Sequence, residues 1–174
     1  GFIELTKRVS PTCLVAFERN RYSVPAALAN QVISLRVYAD RLLMVARGAV
    51  VAEHQRKFNR KHSGPGQTIY DWRHYLAVVQ RKPGALRNGA PFQELPDSFR
   101  QLQARLLRRP GGDQEMVDVL ALVLLHDERL VEQAITEAMD DSSLSGESIR
   151  QQLETELPAI ISRQLREIGV SSNN

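Results

Sequence analysis

Residues 32–54 read VISLRVYADRLLMVARGAVVAEH, and this stretch decides the fold of the first part of the chain. Over residues 32–38 apolar and polar side chains alternate, which is typical of a β-strand with one buried face. Short turns at Ala39-Asp40 and Arg47-Gly48 bring the chain back twice and predict two more strands. The three predicted strands are residues 32–38, 41–45 and 50–54, and the predicted inward residues of the first are Ile33, Leu35 and Val37.

Two more short strands are predicted upstream of this meander. Residues 13–17 are an apolar run closed by a polar turn, and residues 22–24 resume an extended pattern. Pro25 has no backbone N–H, so the second strand lies at a sheet edge or ends there. Five short strands with tight connections predict a small antiparallel β-barrel over residues 1–63, whereas residues 1–11 lack periodicity and are predicted to be a lead-in.

The rest of the chain has a helical pattern, which makes the predicted fold class α+β. Gly64-Pro65-Gly66 predicts a linker, and residues 64–90 are predicted to hold this linker and a connecting helix capped at Thr68 or Asp71. Its apolar stripe is Trp72, Tyr75, Leu76 and Val79.

Residues 91–174 are predicted to form an acidic α-helical bundle, because short connections between helices favour antiparallel neighbours. Helix caps are predicted at Asp97, Asp113 and Ser145, and Pro158 is predicted to kink or break the last helix. The predicted inward residues are Phe99, Leu102, Leu106, Met116, Leu120, Val123, Leu124, Leu130, Ala134, Ile135, Ala138, Ile149, Leu153 and Leu157.

The composition of this 174-residue chain, 43% hydrophobic and 25% charged, is that of a globular protein. No apolar run is long enough to span a bilayer, so no membrane partner is expected. The single cysteine, Cys13, excludes an intramolecular disulfide and favours a reducing cytoplasmic setting. The chain starts at Gly1 and shows no signal-peptide pattern, so we expect a fragment of a longer cytoplasmic protein.

Charge divides the chain into two parts. Residues 1–90 hold 15 Lys and Arg against 5 Asp and Glu, a balance of +10, while residues 91–174 hold 8 against 15, a balance of −7. A basic surface attracts polyanions and an acidic one repels them. Nucleic acid is therefore expected to meet the first part, although a merely solvated, solubilising surface is the alternative interpretation.

The strongest local charge signal is the run Arg56-Lys57-Phe58-Asn59-Arg60-Lys61-His62. Cations of this kind neutralise phosphates and release counterions, which supplies most sequence-independent DNA affinity. Arginines on the predicted strands and turns could extend the footprint, and Arg suits bidentate phosphate contacts. The predicted DNA-binding residues are Arg19, Arg21, Arg36, Arg56, Lys57, Arg60, Lys61 and His62.

No complete active site is predicted, catalytic or metal-binding. The histidines and Cys13 lack the local spacing of a zinc site, and His54 is predicted to be a surface group at a strand end. Cys13 has only apolar neighbours, so it is predicted to be a core residue rather than a nucleophile. Two-metal nuclease chemistry needs converging carboxylates, and the acidic residues fit turns, caps and exposed helix faces better.

Five segments together resemble the C-terminal part of IstA-type insertion-sequence transposases, which are relatives of phage Mu transposase. The resemblance extends over residues 9–90 and is specific there, whereas the helical remainder fits mainly by position. The segments are residues 9–17 (VSPTCLVAF), 20–25 (NRYSVP), 52–56 (AEHQR), 71–76 (DWRHYL) and 81–86 (RKPGAL).

The resemblance implies a Mu-type C-terminal β-barrel followed by a helical region, in a bacterial, DNA-associated protein. In that family a DDE catalytic domain, which uses Mg²⁺, lies upstream, so this fragment is expected to be noncatalytic and to need no cofactor itself. The expected function is DNA-backbone binding at transposon ends and assembly of a homo-oligomeric complex. The alternative is a protein-interaction module that recruits an IstB-type ATPase helper or another transposase protomer.

Overall fold

A computed structural model describes residues 1–59, 64–140 and 149–167 of the chain. The chain divides into two compact units, Gly1–Ala77 and Val78–Asn174. The first unit is built of strands and the second of helices, which confirms the predicted α+β class.

The described residues of the first unit form seven strands. The sequence predicted five of these and missed the first and the last. The strands are β1 (Ile3–Arg8), β2 (Leu14–Phe17), β3 (Asn20–Ser23), β4 (Val32–Val37), β5 (Arg41–Ala46), β6 (Ala49–Gln55) and β7 (Thr68–Ile69).

These strands form two open sheets. One sheet has the order β1-β4-β5-β6 and is antiparallel, and the other has the order β2-β3-β7. Strand β3 uses both edges, pairing antiparallel with β2 and parallel with β7, where Arg21 lies opposite Thr68. Its hydrogen-bonding groups are therefore used within the smaller sheet, and no closed barrel is found among the described strands. Strand β3 ends at Ser23, two residues before Pro25. Of the two predictions for Pro25, an edge strand or the end of a strand, the second is therefore confirmed.

The prediction that the first residues are only a lead-in is wrong. Strand β1 pairs with β4 along its whole length, with Ile3 opposite Val37 and Arg8 opposite Val32. Its side chains are exposed or half-buried throughout. An edge strand held by backbone hydrogen bonds needs no strong apolar alternation, which is why the sequence pattern did not reveal it.

The core of the first unit confirms the period-two prediction for β4. Ile33, Leu35 and Val37 are buried and the residues between them are half-buried. They pack in one apolar cluster with residues from neighbouring strands, and each fully buried large side chain contributes roughly 1.5–3 kcal/mol. Other members of this cluster are Val9, Val15, Tyr22, Val24, Leu28, Leu42, Met44 and Ala52.

Helices form the rest of the described chain, with short 3₁₀ turns between them. The predicted cap Asp71 is confirmed, because its carboxylate accepts a hydrogen bond from the backbone N–H of Arg73 at 3.1 Å, at the start of the 3₁₀ turn Trp72–Tyr75. The α-helices are α1 (Leu76–Arg81), α2 (Asp97–Leu106), α3 (Gly112–Ala121), α4 (Glu128–Asp140) and α5 (Ile149–Glu167).

In the second unit α2 packs against α3 and α4, and α5 packs against α3 and α4. Most predicted inward residues are buried, but Leu124 is exposed and Val123 and Leu130 are only half-buried. Helix α3 ends at Ala121 and passes into a 3₁₀ turn, so the helical period does not reach Val123. The confirmed buried positions are Phe99, Leu102, Leu106, Met116, Leu120, Ala134, Ile135, Ala138, Leu153 and Leu157.

Three predicted helix-end features differ from the structure. Asp97 and Asp113 lie inside the first turns of α2 and α3, which are preceded by Pro96 and by Gly111 with a φ of +75°. An acidic first-turn residue still complements the helix dipole. Pro158 lies within α5, which continues to Glu167, so the predicted break does not occur and a kink stays a prediction; the predicted cap Ser145 lies outside the described residues.

None of the helices in the described ranges has both the length and the apolar character needed to cross a membrane.

Candidate nucleic-acid interface

Asn20 joins the two ends of the segment that contains the basic run. This residue is 1% exposed and begins strand β3. Its side-chain nitrogen donates to the carbonyl oxygen of Lys57 at 3.1 Å, and its side-chain oxygen accepts from the backbone N–H of Gln67 at 2.9 Å. The backbone N–H of Lys57 also donates to the hydroxyl of Tyr22 at 3.0 Å. Residues 57 and 67 are thereby fixed to one strand.

The turn between β2 and β3 lies beside this anchor. Phe17 pairs with Asn20, so Glu18 and Arg19 form a two-residue turn, with φ values of +47° and +70°. Two positive φ angles are what type I′ hairpin turns require, and residues other than Gly and Asn adopt them at a cost. Contacts to Glu18 and Arg19 from Arg56, Asn59 and Gly64 hold this turn in place.

Arg56 is tied to the protein rather than free in solvent. Its side chain is 17% exposed, and its guanidinium donates to Glu18 Oε1 at 2.7 Å and to the carbonyl oxygen of Tyr38 at 2.9 Å. The guanidinium also lies over the rings of Phe17 and Phe58, at 5.3 and 5.0 Å from the ring centres. A charge with these partners is partly neutralised, so Arg56 is a weaker candidate for a phosphate contact than its position in the basic run indicates.

Three of the predicted DNA-binding residues meet at Asn20. Arg19 and Arg21 flank Asn20 in the chain and are exposed, and Lys57 is held at Asn20 by the amide described above. Arg19 contacts the carbonyl oxygen of Gly64, and the amino group of Lys57 is 3.5 Å from Gln55 Oε1. Lys57, which is 36 residues after Arg21 and 38 after Arg19 in the sequence, is thus held beside strand β3 in the structure.

The other predicted residues fall outside this group. Arg36 lies in the four-stranded sheet, with Nε 3.6 Å from Glu4 Oε1 and its guanidinium over the ring of Phe2. Arg60, Lys61 and His62 lie outside the described residues. Their assignment stays a prediction from the sequence.

A buried polar network, which the sequence did not predict, lies behind the same strand. The prediction that His54 is a surface group is wrong: it is 7% exposed, because β6 turns Ala52 and His54 inward. His54 Nε2 lies 2.6 Å from the carbonyl oxygen of Ser23, and Ser23 Oγ lies 2.8 Å from His74 Nδ1. The period-two pattern of β6, followed from Ala52, could have indicated this burial.

Burial lowers the pKa of both histidines. For His54, burial is the main cause, opposed by the hydrogen bond to Ser23 and by Asp71. For His74, burial lowers the pKa to about 4, opposed by Asp71 and reinforced by His54 and Arg73. Both rings are therefore neutral at physiological pH, and they act as hydrogen-bonding partners rather than as cations for a phosphate.

Ser23, His74 and Asp71 bring together the residue types of a hydrolase triad, but the geometry is structural. Ser23 is fully buried, and its Oγ accepts a hydrogen bond from the backbone N–H of Asp71 at 2.8 Å. His74 Nε2 is 3.8 Å from Asp71 Oδ2, which is too long for a hydrogen bond. A nucleophile must reach a substrate, so this network holds β3 to the segment after β7 instead.

Cys13 is buried, as predicted, but precedes β2 with a φ of +68° instead of lying within the strand. Burial raises the pKa of its thiol. Within the described residues, no group of three or more His, Cys, Asp or Glu side chains is placed to hold a metal ion.

Strand β3 and its anchors lie within the part of the chain that a known family covers. Residues 2–71 match the family model described as "Mu transposase, C-terminal domain", so this part of the chain is a Mu transposase C-terminal domain. The chain is also homologous to insertion-sequence transposases, over the C-terminal part of those proteins. The resemblance in the sequence is thereby confirmed.

Two relatives show the extent of this homology. A transposase of Aminobacter aminovorans is 69% identical over 146 residues, which is 84% of this chain and 28% of the relative. The transposase for insertion sequences IS1326/IS1353 of Pseudomonas aeruginosa is 58% identical over 149 residues, 86% of this chain and 29% of the relative. The chain therefore spans less than a third of these relatives. No solved structure matches it.

Proposed function

We propose that this chain is a noncatalytic C-terminal part of a DDE-type transposase, and that it binds the DNA backbone at transposon ends. In the complete bacterial protein it supports assembly of a homo-oligomeric complex on DNA. The homology to insertion-sequence transposases supports this proposal.

The observation that carries the DNA-binding role is the meeting of Arg19, Arg21 and Lys57 around Asn20. Arg19 lies in the β2–β3 turn, Arg21 in β3 and Lys57 shortly after β6, and part-buried hydrogen bonds fix the backbone of Lys57 to β3, so in this proposal the three cations form one surface. Such surfaces bind phosphates with little sequence preference. Arg60, Lys61 and His62, which follow Lys57 in the sequence, extend this surface in the proposal, and Arg36 and Arg56 contribute less because of Glu4 and Glu18.

A salt titration of DNA binding tests this proposal. If about four cations contact phosphates, the slope of log K against log salt is roughly −3 to −4, at about 0.9 per contact. Arg21→Ala/Lys57→Ala should lower the magnitude of the slope by about 2 and weaken binding to all duplexes alike. Arg105→Ala, which removes an exposed charge from the second unit, is the matched control. Unchanged binding of a duplex by the double variant in low salt would reject the site.

The Mg²⁺ chemistry expected of a DDE enzyme is proposed to belong to another part of the full-length protein. The described carboxylates of this chain do not converge on a metal position. A self-sufficient nuclease would need such a position, and cleavage of a plasmid by the chain with Mg²⁺ would argue for one.

A second candidate function is protein association through the helical unit. Leu124 and Leu125 are 62% and 80% exposed, and they come just before the acidic residues Asp127 and Glu128. The pKa of Glu132 is raised mainly by burial, and the neighbouring Glu128 and Asp127 add to this while Arg129 opposes it. An apolar pair beside negative charge fits a partner surface that is apolar and basic, and the basic half of a second protomer has that charge.

Light scattering tests this second function. Leu124→Ser/Leu125→Ser should shift the chain toward monomer, and Val50→Ser, which changes an exposed apolar residue of the first unit, should not. Capture of an IstB-type ATPase helper that the double variant abolishes, with no change in self-association, would assign the surface to the helper instead. A parent chain that is monomeric and indifferent to the helper would reject this function.

A further inference from the structure

Phe58 is a large apolar side chain in the middle of the basic run. Its side chain is 61% exposed, and its sequence neighbours include Arg56, Lys57 and Asn59. Isolated exposed apolar residues are common on protein surfaces. Phe58 differs from such a residue because the backbone around it is fixed at several points.

The backbone before Phe58 is held by the β4–β5 turn and by strand β3. The backbone N–H of Arg56 donates to the carbonyl oxygen of Asp40 at 2.9 Å. The Lys57 backbone is bonded on both sides, its N–H to Tyr22 and its carbonyl oxygen to Asn20. After Phe58, the side-chain nitrogen of Asn59 lies 3.4 Å from the carbonyl oxygen of Glu18. The ring of Phe58 is thus presented at a defined place without being part of a helix or strand.

The Phe58 ring contacts the guanidinium of Arg56, and most of the side chain remains accessible to solvent. The guanidinium of Arg56 lies 5.0 Å from the centre of the ring, as in a cation–π contact. This contact orients the ring, yet more than half of the side chain remains in solvent. A flat, oriented and exposed aromatic ring beside backbone-binding cations is the arrangement on which nucleic-acid bases stack.

We propose that Phe58 stacks on an unpaired or unstacked base while Lys57, Arg19 and Arg21 hold the adjoining phosphates. This inference rests on the proposed DNA-binding function and adds to it a preference for DNA with accessible bases over intact duplex. Stacking fits the position better than a protein contact, because the surrounding charge is positive and the ligand it favours is a polyanion.

Three variants of the 174-residue chain test the proposal. Phe58→Ala removes the ring, Phe58→Leu keeps an apolar cover for Arg56 without a flat face, and Phe58→Trp keeps a stacking surface. The probes are a mixed-sequence single-stranded oligonucleotide and its blunt duplex, each with 2-aminopurine in place of an adenine. Thermal unfolding of each variant checks that the fold is intact.

Base–aromatic stacking predicts a specific pattern. Phe58→Ala and Phe58→Leu should weaken binding to the single strand about 5- to 100-fold, which corresponds to about 1–3 kcal/mol at 1.4 kcal/mol per tenfold. Their affinity for the duplex should change less than about twofold. Phe58→Trp should bind the single strand at least as tightly as the parent and quench 2-aminopurine fluorescence.

The failures are distinguishable. If the parent chain binds neither probe in low salt, the proposed DNA-binding function is wrong and the stacking role falls with it. If the parent binds and both Phe58 replacements lose nothing on the single strand, or lose equally on the duplex, stacking alone is overturned. A change from oligomer to monomer in Phe58→Ala, with single-strand affinity unchanged, would show that the ring contacts protein and would also overturn it.

Discussion

The side-chain nitrogen of buried Asn20 donates a hydrogen bond to the carbonyl oxygen of Lys57 at 3.1 Å. The two residues are 37 positions apart, and the same amide accepts from Gln67 on the far side of the basic run. A buried residue of strand β3 therefore sets the position of Lys57, on which the proposed function depends.

Replacing Asn20 should be costly for stability. Asn20→Ala leaves the part-buried carbonyl of Lys57 and N–H of Gln67 without their partner, and an unsatisfied group costs about 1–3 kcal/mol when it is fully buried. We expect the free energy of unfolding to fall by about 2–4 kcal/mol in urea denaturation. Gln55→Ala, an exposed amide in the same unit, should change it by less than about 0.5 kcal/mol. Equal values for the two variants would contradict the anchoring role.

Arg56 and Lys57 should separate into a structural and a binding role. Arg56→Ala removes an ion pair with Glu18, a bond to Tyr38 and two ring contacts, so it should lower the free energy of unfolding by about 1–3 kcal/mol. Its salt slope for DNA binding should stay near that of the parent. Lys57→Ala should leave the free energy of unfolding unchanged and reduce the magnitude of the salt slope of DNA binding by about 1. An Arg56→Ala variant of full stability and reduced slope would make Arg56 a phosphate contact after all.

Stability should fall as the solution becomes acidic. The folded pKa of His74 is about 4, below the value near 6.5 of an unfolded chain, so the unfolded state binds more protons between these pH values. The contribution of His74 is fully present above pH 6.5 and is lost as the pH falls to about 4. The lowered pKa of His54 acts in the same direction.

Urea denaturation between pH 7.5 and 4 measures this effect. The free energy of unfolding should decline over that range by about 2–3 kcal/mol from His74, at 1.36 kcal/mol per pKa unit. His74→Gln removes the titrating group and should flatten the profile, even if it lowers stability at pH 7.5. His126→Gln, in the second unit, is the control. A slope that is the same in His74→Gln and the parent would refute the assignment.

Gly66 should not tolerate a side chain. A Cβ at this position would lie 1.5 Å from the carbonyl oxygen of Arg19, which is backbone and cannot move aside alone. Gly66→Ala should therefore shift the segment away from the β2–β3 turn, with a cost of roughly 1–3 kcal/mol typical of overpacking. Gly84→Ala, whose Cβ would lie 4.0 Å from Asp113 Oδ2, serves as the control. Equal melting temperatures would show that the segment does not pass so close to Arg19.

Local patterns predicted the parts of this fold that depend on neighbours in the chain. The meander β4–β5–β6 followed from alternation and short turns, and the apolar face of α2 followed from its helical period. Strand β1 and the two-residue strand β7 could not be predicted this way, because their backbone pairs with distant strands and neither has an alternation of buried and exposed side chains that a local pattern would show. The closed barrel was predicted from the number of strands, whereas the described strands form two sheets and both edges of β3 are paired within the smaller one.

Some properties of the candidate site also follow from the sequence alone, and others depend on the tertiary structure. The sequence by itself determined the charge division, the basic run and the membership of residues 2–71 in the Mu transposase C-terminal domain family, since these are properties of composition and residue order. Only the tertiary structure decided that Asn20 brings Lys57 to the strand that carries Arg21, that Glu18 pairs with Arg56, and that His54 is buried. Each of these depends on contacts between residues more than 30 positions apart, which no local period records.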